Sequence, residues 1–269
     1  MNYFIELNPD YNQENFNVNN AIAVDSKSKA LIKNMKIFLI NQFKEYNIPF
    51  SEHDIDIYYD DYYETYGLEV FKRRVTCDYL GPSTYYVSQK FNNAYILKII
   101  IACRIFGGHM LWPSSLSGIG RFDNNGNEIT KSINTARSYC LKERLDYTIF
   151  EIREWYINSG DNGTPIFQMV LESNRDWFER FGKGEDGYKK FLNVFILQDF
   201  VHPDTLLPYD FESFNESGYD KIIQKKKRYI NDYIPSDNKS YKNYINGTIN
   251  ALEKRDKRIK SSSNLYENF

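Results

Sequence analysis

The chain is poor in the side chains that most often do chemistry. Three cysteines and three histidines are spread over 269 residues, and Cys77, Cys103 and Cys140 form no C-x-x-C pair. That spacing excludes a clustered zinc site and a disulfide framework, and sparse, odd-numbered thiols fit a reducing compartment. No G-x-x-x-x-G-K-[ST], H-E-x-x-H or G-x-S-x-G is present, and no dinucleotide-binding G-x-G-x-x-G is expected at a helix start. The enzyme classes resting on those patterns are set aside, and no cofactor is expected. Long apolar runs are also missing. The longest, residues 99–103 with Ile105 and Phe106, is interrupted by Arg104, well short of the roughly 20 residues that cross a bilayer. The first residues lack a basic stretch followed by an apolar one. No secretory leader and no membrane partner are therefore expected, and the cytoplasm is the expected location.

What the chain has in quantity is aromatic surface, with 23 Tyr and 19 Phe. Abundant Asn, Lys, Ile and Tyr together fit an AT-rich genome better than a role for the tyrosines. A net charge of −2 gives no overall field for nucleic acid. The charge is uneven, however. Residues 221–260 hold 12 Lys and Arg against 4 Asp and Glu, a local +8 that leaves −10 for the remainder. Such an arm is either a solvated helix face or a contact for phosphates.

Apolar periodicity predicts an α+β fold, a mostly helical core with a small N-terminal β-sheet. Residues 1–25 are an irregular lead-in with a short strand at 3–7, residues 26–260 a single domain, and residues 261–269 a disordered tail. Helices are expected at 26–46, 135–158, 188–201, 221–232 and 245–259, the last two exposed. Strands are expected at 54–58, 67–79 and 85–87. The segment from Tyr95 to Ala102 is either a buried helix or a buried strand. The acidic, tyrosine-rich stretch 52–64 contains no Ca²⁺-loop pattern and is expected to be an exposed edge.

The densest cluster of polar residues sits at a break in the apolar pattern, Cys103-Arg-Ile-Phe-Gly-Gly-His-Met-Leu-Trp-Pro113 and Ser132-Ile-Asn-Thr-Ala-Arg137. Arg104 and Arg137 would hold an anion, and Asn134 would orient it beside free amides at a helix start. His109 would be the acid/base, with Glu151 or Asp199 as its carboxylate partner. Ser132 would cap the helix and Trp112 would line the pocket. Gly107 and Gly108 would allow a positive φ. Arg137, Arg144 and Glu151, seven residues apart, would share one helix face. The alternatives are a salt-bridged outer face and ordinary capping.

The Arg104…His109 spacing resembles that of HEPN-type ribonucleases, although there the pair lies on a helix that Gly107-Gly108 would break. The blocks Gly107-Gly-His-Met-Leu-Trp-Pro113, Ser132-Ile-Asn-Thr-Ala-Arg137, Arg144–Arg153 and Gly187–Val201 resemble, in order and spacing, an uncharacterised bacterial protein family. Residues 95–260 carry the likeness. Ser114 and Ser138 depart from it, where an arginine and a glycine would be expected. The resemblance implies a bacterial or phage origin and no particular activity. The functional expectation is a protein that binds a phosphorylated ligand, a nucleotide or RNA, with metal-independent ribonuclease chemistry as its enzymatic form. The alternative is a non-catalytic interaction protein, such as a phage-defence or toxin–antitoxin component.

Overall fold

A computed structural model describes residues 29–62, 64–81, 99, 102–103, 105–113, 132–227 and 229–262. The expectations at 3–7, at 85–87, for the lead-in 1–25 and at Arg104 lie outside them. Helix α1, Lys29–Glu45, buries Leu31, Ile32, Met35, Phe38, Leu39 and Phe43, the three- and four-residue stripe that the sequence spaces out. It packs on an antiparallel sheet of β1 Ile55–Asp60, β2 Thr65–Val70, β3 Arg73–Tyr79 and β4 His109–Pro113, in that spatial order. Strand alternation decides which residues meet the core. Ile55 opposite Val70, Leu68 opposite Val75 and Cys77 opposite Leu111 are buried, while Asp56, Glu69 and Arg74 on the other face are exposed.

Residues 67–79, expected as one strand, form parts of two. Phe71 and Lys72, at φ 52° and 61°, make the two-residue turn that reverses the chain. Neither is a customary turn residue. The left-handed strain is offset by Phe71 stacking on Phe43, with ring centroids 5.7 Å apart, and by the Arg180 guanidinium 3.7 Å from its ring centre.

The expected helix 135–158 is two helices, α2 Ile133–Leu141 and α3 Leu145–Ile157. Lys142 and Glu143 turn left-handed between them, and both amides donate to the Arg137 carbonyl. The break delivers Arg144 inward. Its Nε and Nη2 donate to Asp146 at 2.9 and 2.6 Å, and its Nη1 donates to Glu212 at 2.6 Å and to the Tyr233 carbonyl at 3.1 Å. The row Arg137, Arg144 and Glu151 is therefore buried rather than an outer face.

After α4 Pro165–Glu172 and α5 Arg175–Phe178 comes α6 Gly184–Val194, which stops short of the expected residue 201. Ile196 is left-handed, and the bonds Leu197 N to Leu192 O and Ile196 N to Asn193 O close the helix in a Schellman arrangement. Residues 221–227 and 229 are irregular, followed by a 3₁₀ turn at Ile230–Tyr233. A short hairpin of β5 Phe214–Asn215 and β6 Gly218–Tyr219 precedes them. The last helix, α7 Asn238–Ser262, is longer and less exposed than expected. Asp237 accepts from the amides of Lys239 and Ser240 at its start. Tyr241, Tyr244, Ile245, Thr248, Leu252, Arg255 and Ile259 are buried along one side. Ile99, Ala102 and Cys103 are helical, and one apolar cluster runs from Leu31 to Ile259.

Gly107 and Gly108 are not among the residues with positive φ; their need is close approach. A Cβ on Gly107 would lie 2.5 Å from the backbone nitrogen of Asp256, and one on Gly108 would lie 2.3 Å from the Cys103 carbonyl. The turn at 106–108 thus seats β4 directly on α7. Gly107→Ala is expected to cost about 3 kcal/mol, as overpacking against backbone does, and to lower the melting temperature by on the order of 10 °C. A loss below about 1 kcal/mol in calorimetry would contradict this contact.

Candidate functional site

His109 begins β4 and is wholly buried. Its Nδ1 donates to the Ile105 carbonyl at 3.0 Å, which leaves Nε2 as a bare acceptor with no partner among the described residues. The ring lies 4.7 Å from that of Tyr79, its register partner on β3. Burial, helped by the nearby Arg255 charge, holds the imidazole down at about 4, so at neutral pH it is uncharged.

Trp112 lies three residues on, so its side chain leaves the opposite face of the sheet. The Arg137 guanidinium, from α2, sits 5.2 Å from the centre of that indole. Arg137 is 2% exposed and Trp112 1%. The Arg137 Nε donates to Thr148 Oγ1 at 3.2 Å and its Nη1 to the Tyr79 carbonyl at 3.4 Å, whereas Nη2 has no partner. No carboxylate of the described residues lies within salt-bridge distance of it. Burial depresses its pKa, and Asp78 and Glu143 oppose that from farther away. Trp112 Nε1, Asn134 Oδ1 and Tyr244 Oη are among the other buried polar atoms that find no hydrogen-bond partner. Asn134 stands one turn before Arg137 on α2. Tyr244, on α7, is electrostatically coupled to Arg144 and also acts on Arg137. Tyr244 and Thr148 were not expected here, because a tyrosine a hundred residues away carries no local signal.

The other expected residues are placed elsewhere. Ser132 caps α2, its Oγ accepting from the Thr135 amide at 3.5 Å. Glu151 is buried at the start of α4, where it accepts from the Thr164 amide and hydroxyl and from Gln168. Burial raises its pKa and those bonds lower it; it is a helix cap rather than a partner of His109. Asp199 pairs with Arg258 at 2.5 and 3.1 Å and not with His109. Much of the basic stretch is similarly engaged. Lys226 bonds the Gly163 carbonyl, Lys227 pairs with Glu212, and Lys260 with Asp256. No group of three or more metal-binding side chains occurs among the described residues, and no described helix is long and apolar enough to cross a membrane. The three cysteines are buried and free, and burial pushes their thiols up.

An open cleft of about 660 Å³ lies apart from this cluster, lined by Trp155, Met169, Glu172, Arg175, Lys183 and Gly184 among others. Beside it Gly182-Lys-Gly-Glu-Asp-Gly187 opens α6, a G-x-G-x-x-G at a helix start where none was expected. A 3₁₀ turn, not a strand, leads into it, so the setting of a dinucleotide fold is missing. Glu185 and Asp186 already fill the first turn. Arg175 pairs with Glu172 and Glu179, and Lys183 with Glu179. These groups are satisfied by one another and by water, whereas Arg137 is not.

The buried imidazole gives a test in pH. An unfolded histidine titrates near 6.5 and the folded one near 4, so the unfolded chain binds the proton first on acidification. The contribution of His109 is fully present above pH 6.5 and is lost as pH falls toward 4, about 3 kcal/mol in all. In urea titrations the stability gap between the natural chain and His109→Gln is therefore expected to shrink by that amount between pH 7.5 and 4. A gap that does not change with pH would contradict a neutral, buried His109.

A family described only as of unknown function, DUF6994, matches residues 25–259. No curated protein and no solved structure matches the chain. Because that match takes in the sheet, the polar cluster and nearly all of α7, the chain belongs to this family of unknown function.

Proposed function

We propose that the protein binds a phosphorylated ligand through Arg137, with Trp112, Asn134 and Tyr244 around it. The observation that carries this reading is a guanidinium shielded from water, facing no carboxylate at bonding distance and holding one terminal nitrogen without an acceptor. A buried charge left in that condition costs several kcal/mol. An anionic ligand removes the cost and takes the free donors in charge-assisted bonds.

The arrangement favours binding over cleavage. The one imidazole near the cluster leaves the opposite sheet face, and Glu151 is spent on capping α4. Neither is positioned to move a proton at a phosphate held by Arg137. The protein's activity on this reading is recognition of a nucleotide or of a phosphorylated RNA.

Thermal unfolding with a panel of nucleoside phosphates and short oligoribonucleotides tests this. A ligand present at 100 times its Kd is expected to add about 2.7 kcal/mol to stability. Arg137→Met, which keeps the length and removes the charge, is expected to lose at least tenfold in affinity while folding normally, and even to gain stability without ligand. If no phosphorylated compound shifts the melting curve of the natural protein, the reading is wrong.

A further inference from the structure

We infer that the site takes a terminal phosphate, a monoester carrying a hydroxyl or N–H group nearby, and refuses an internal phosphodiester; the inference rests on the anion-binding reading of Arg137. Reach is the first argument. Arg137 and Trp112 keep 2% and 1% of their surface, so a phosphate held by them is enclosed by protein. A phosphate in the middle of a polynucleotide needs two ways out for its flanking sugars. A terminal phosphate needs one way in.

Donor count is the second argument. The Nε and Nη1 of Arg137 are committed to Thr148 and Tyr79. What remains is the Nη2 end of a guanidinium that lies over the Trp112 indole, whose own N–H is also without an acceptor. These are donors only, and they suit the acceptor-rich end of a monoester, which carries three non-bridging oxygens and close to two charges at neutral pH. A diester offers two such oxygens and one charge. The third argument is the amide oxygen of Asn134, one turn away on the same helix and itself without a donor. Phosphate oxygens do not satisfy it at neutral pH. A ligand that also carries a hydroxyl or an N–H does. Inorganic phosphate therefore meets only part of the site, and a phosphorylated sugar or nucleoside meets all of it.

Calorimetric titration of the full chain with three probes separates the cases. The probes are a nucleoside 5′-monophosphate, inorganic phosphate, and a dinucleoside monophosphate with an internal diester and free hydroxyl ends. The monophosphate is expected to bind at least tenfold more tightly than either of the others. Asn134→Leu is expected to erase its advantage over inorganic phosphate. A dinucleoside monophosphate binding as well as the monoester would overturn this inference and leave the anion site standing. An Asn134→Leu variant that keeps the preference for the monophosphate would also overturn it. Absence of binding by all three probes would overturn the anion site itself.

Discussion

Arg144 ties together parts of the chain that have no other reason to meet. Its guanidinium joins the first turn of α3 through Asp146, the 3₁₀ turn before β5 through Glu212, and the chain ahead of α7 through the Tyr233 carbonyl. The Tyr244 ring of α7 lies 4.3 Å from it and that of Tyr147 5.0 Å. Asp146 in turn accepts from the amides of Tyr147 and Phe211. Burial works against the charge of Arg144, but two carboxylates and the aromatic faces hold its pKa well above the ordinary value. A buried pair of this kind adds little net stability compared with an apolar core. What it supplies is register, because four segments have to arrive in one arrangement for every donor to be met.

Two other arginines are as deeply buried, and the contrast with them gives Arg137 its meaning. Arg255 has no bonded carboxylate among the described residues, but its donors reach the carbonyls of Phe195, Gly107 and His109, where a helix end and a strand start need closing. Its burial pushes it down to about 9. Arg144 has charge and geometry both answered. Arg137 has one hydroxyl, one long carbonyl bond and a free edge. Packing explains the first two residues without remainder. It explains only half of the third.

The fold class, the stripe of α1, strand β1 and the cap at Ser132 were all legible in the sequence, because each is written in local spacing. Three of the misplaced element boundaries share one cause. Reversals at Phe71-Lys72, at Lys142-Glu143 and at Ile196 place ordinary or β-branched residues in a left-handed backbone, which local preference argues against. In each case a distant partner supports the turn: Phe43 and Arg180 for the first, Glu212 and Tyr233 for the second, Arg255 for the third. The site divides in the same way. The proximity of Asn134 and Arg137 follows from helical spacing, whereas the separation of His109 from Trp112 follows from strand parity, which emerges only once residues 109–113 are known to be a strand. Glu151 and Asp199 were assigned by chemistry alone, and nearer partners claimed them.

The contact between Gly107 and Asp256 has a kinetic side. The amide of Gly107 bonds the Asp256 carboxylate across 149 residues of chain, so the turn that opens the fourth strand has no seat until the final helix exists. At typical elongation rates that interval is on the order of ten seconds. For that time a nascent chain carries the 106–108 turn without the helix that it seats against. The residue that makes the finished joint so tight, by having no side chain, is also what makes the wait for its counterpart unavoidable.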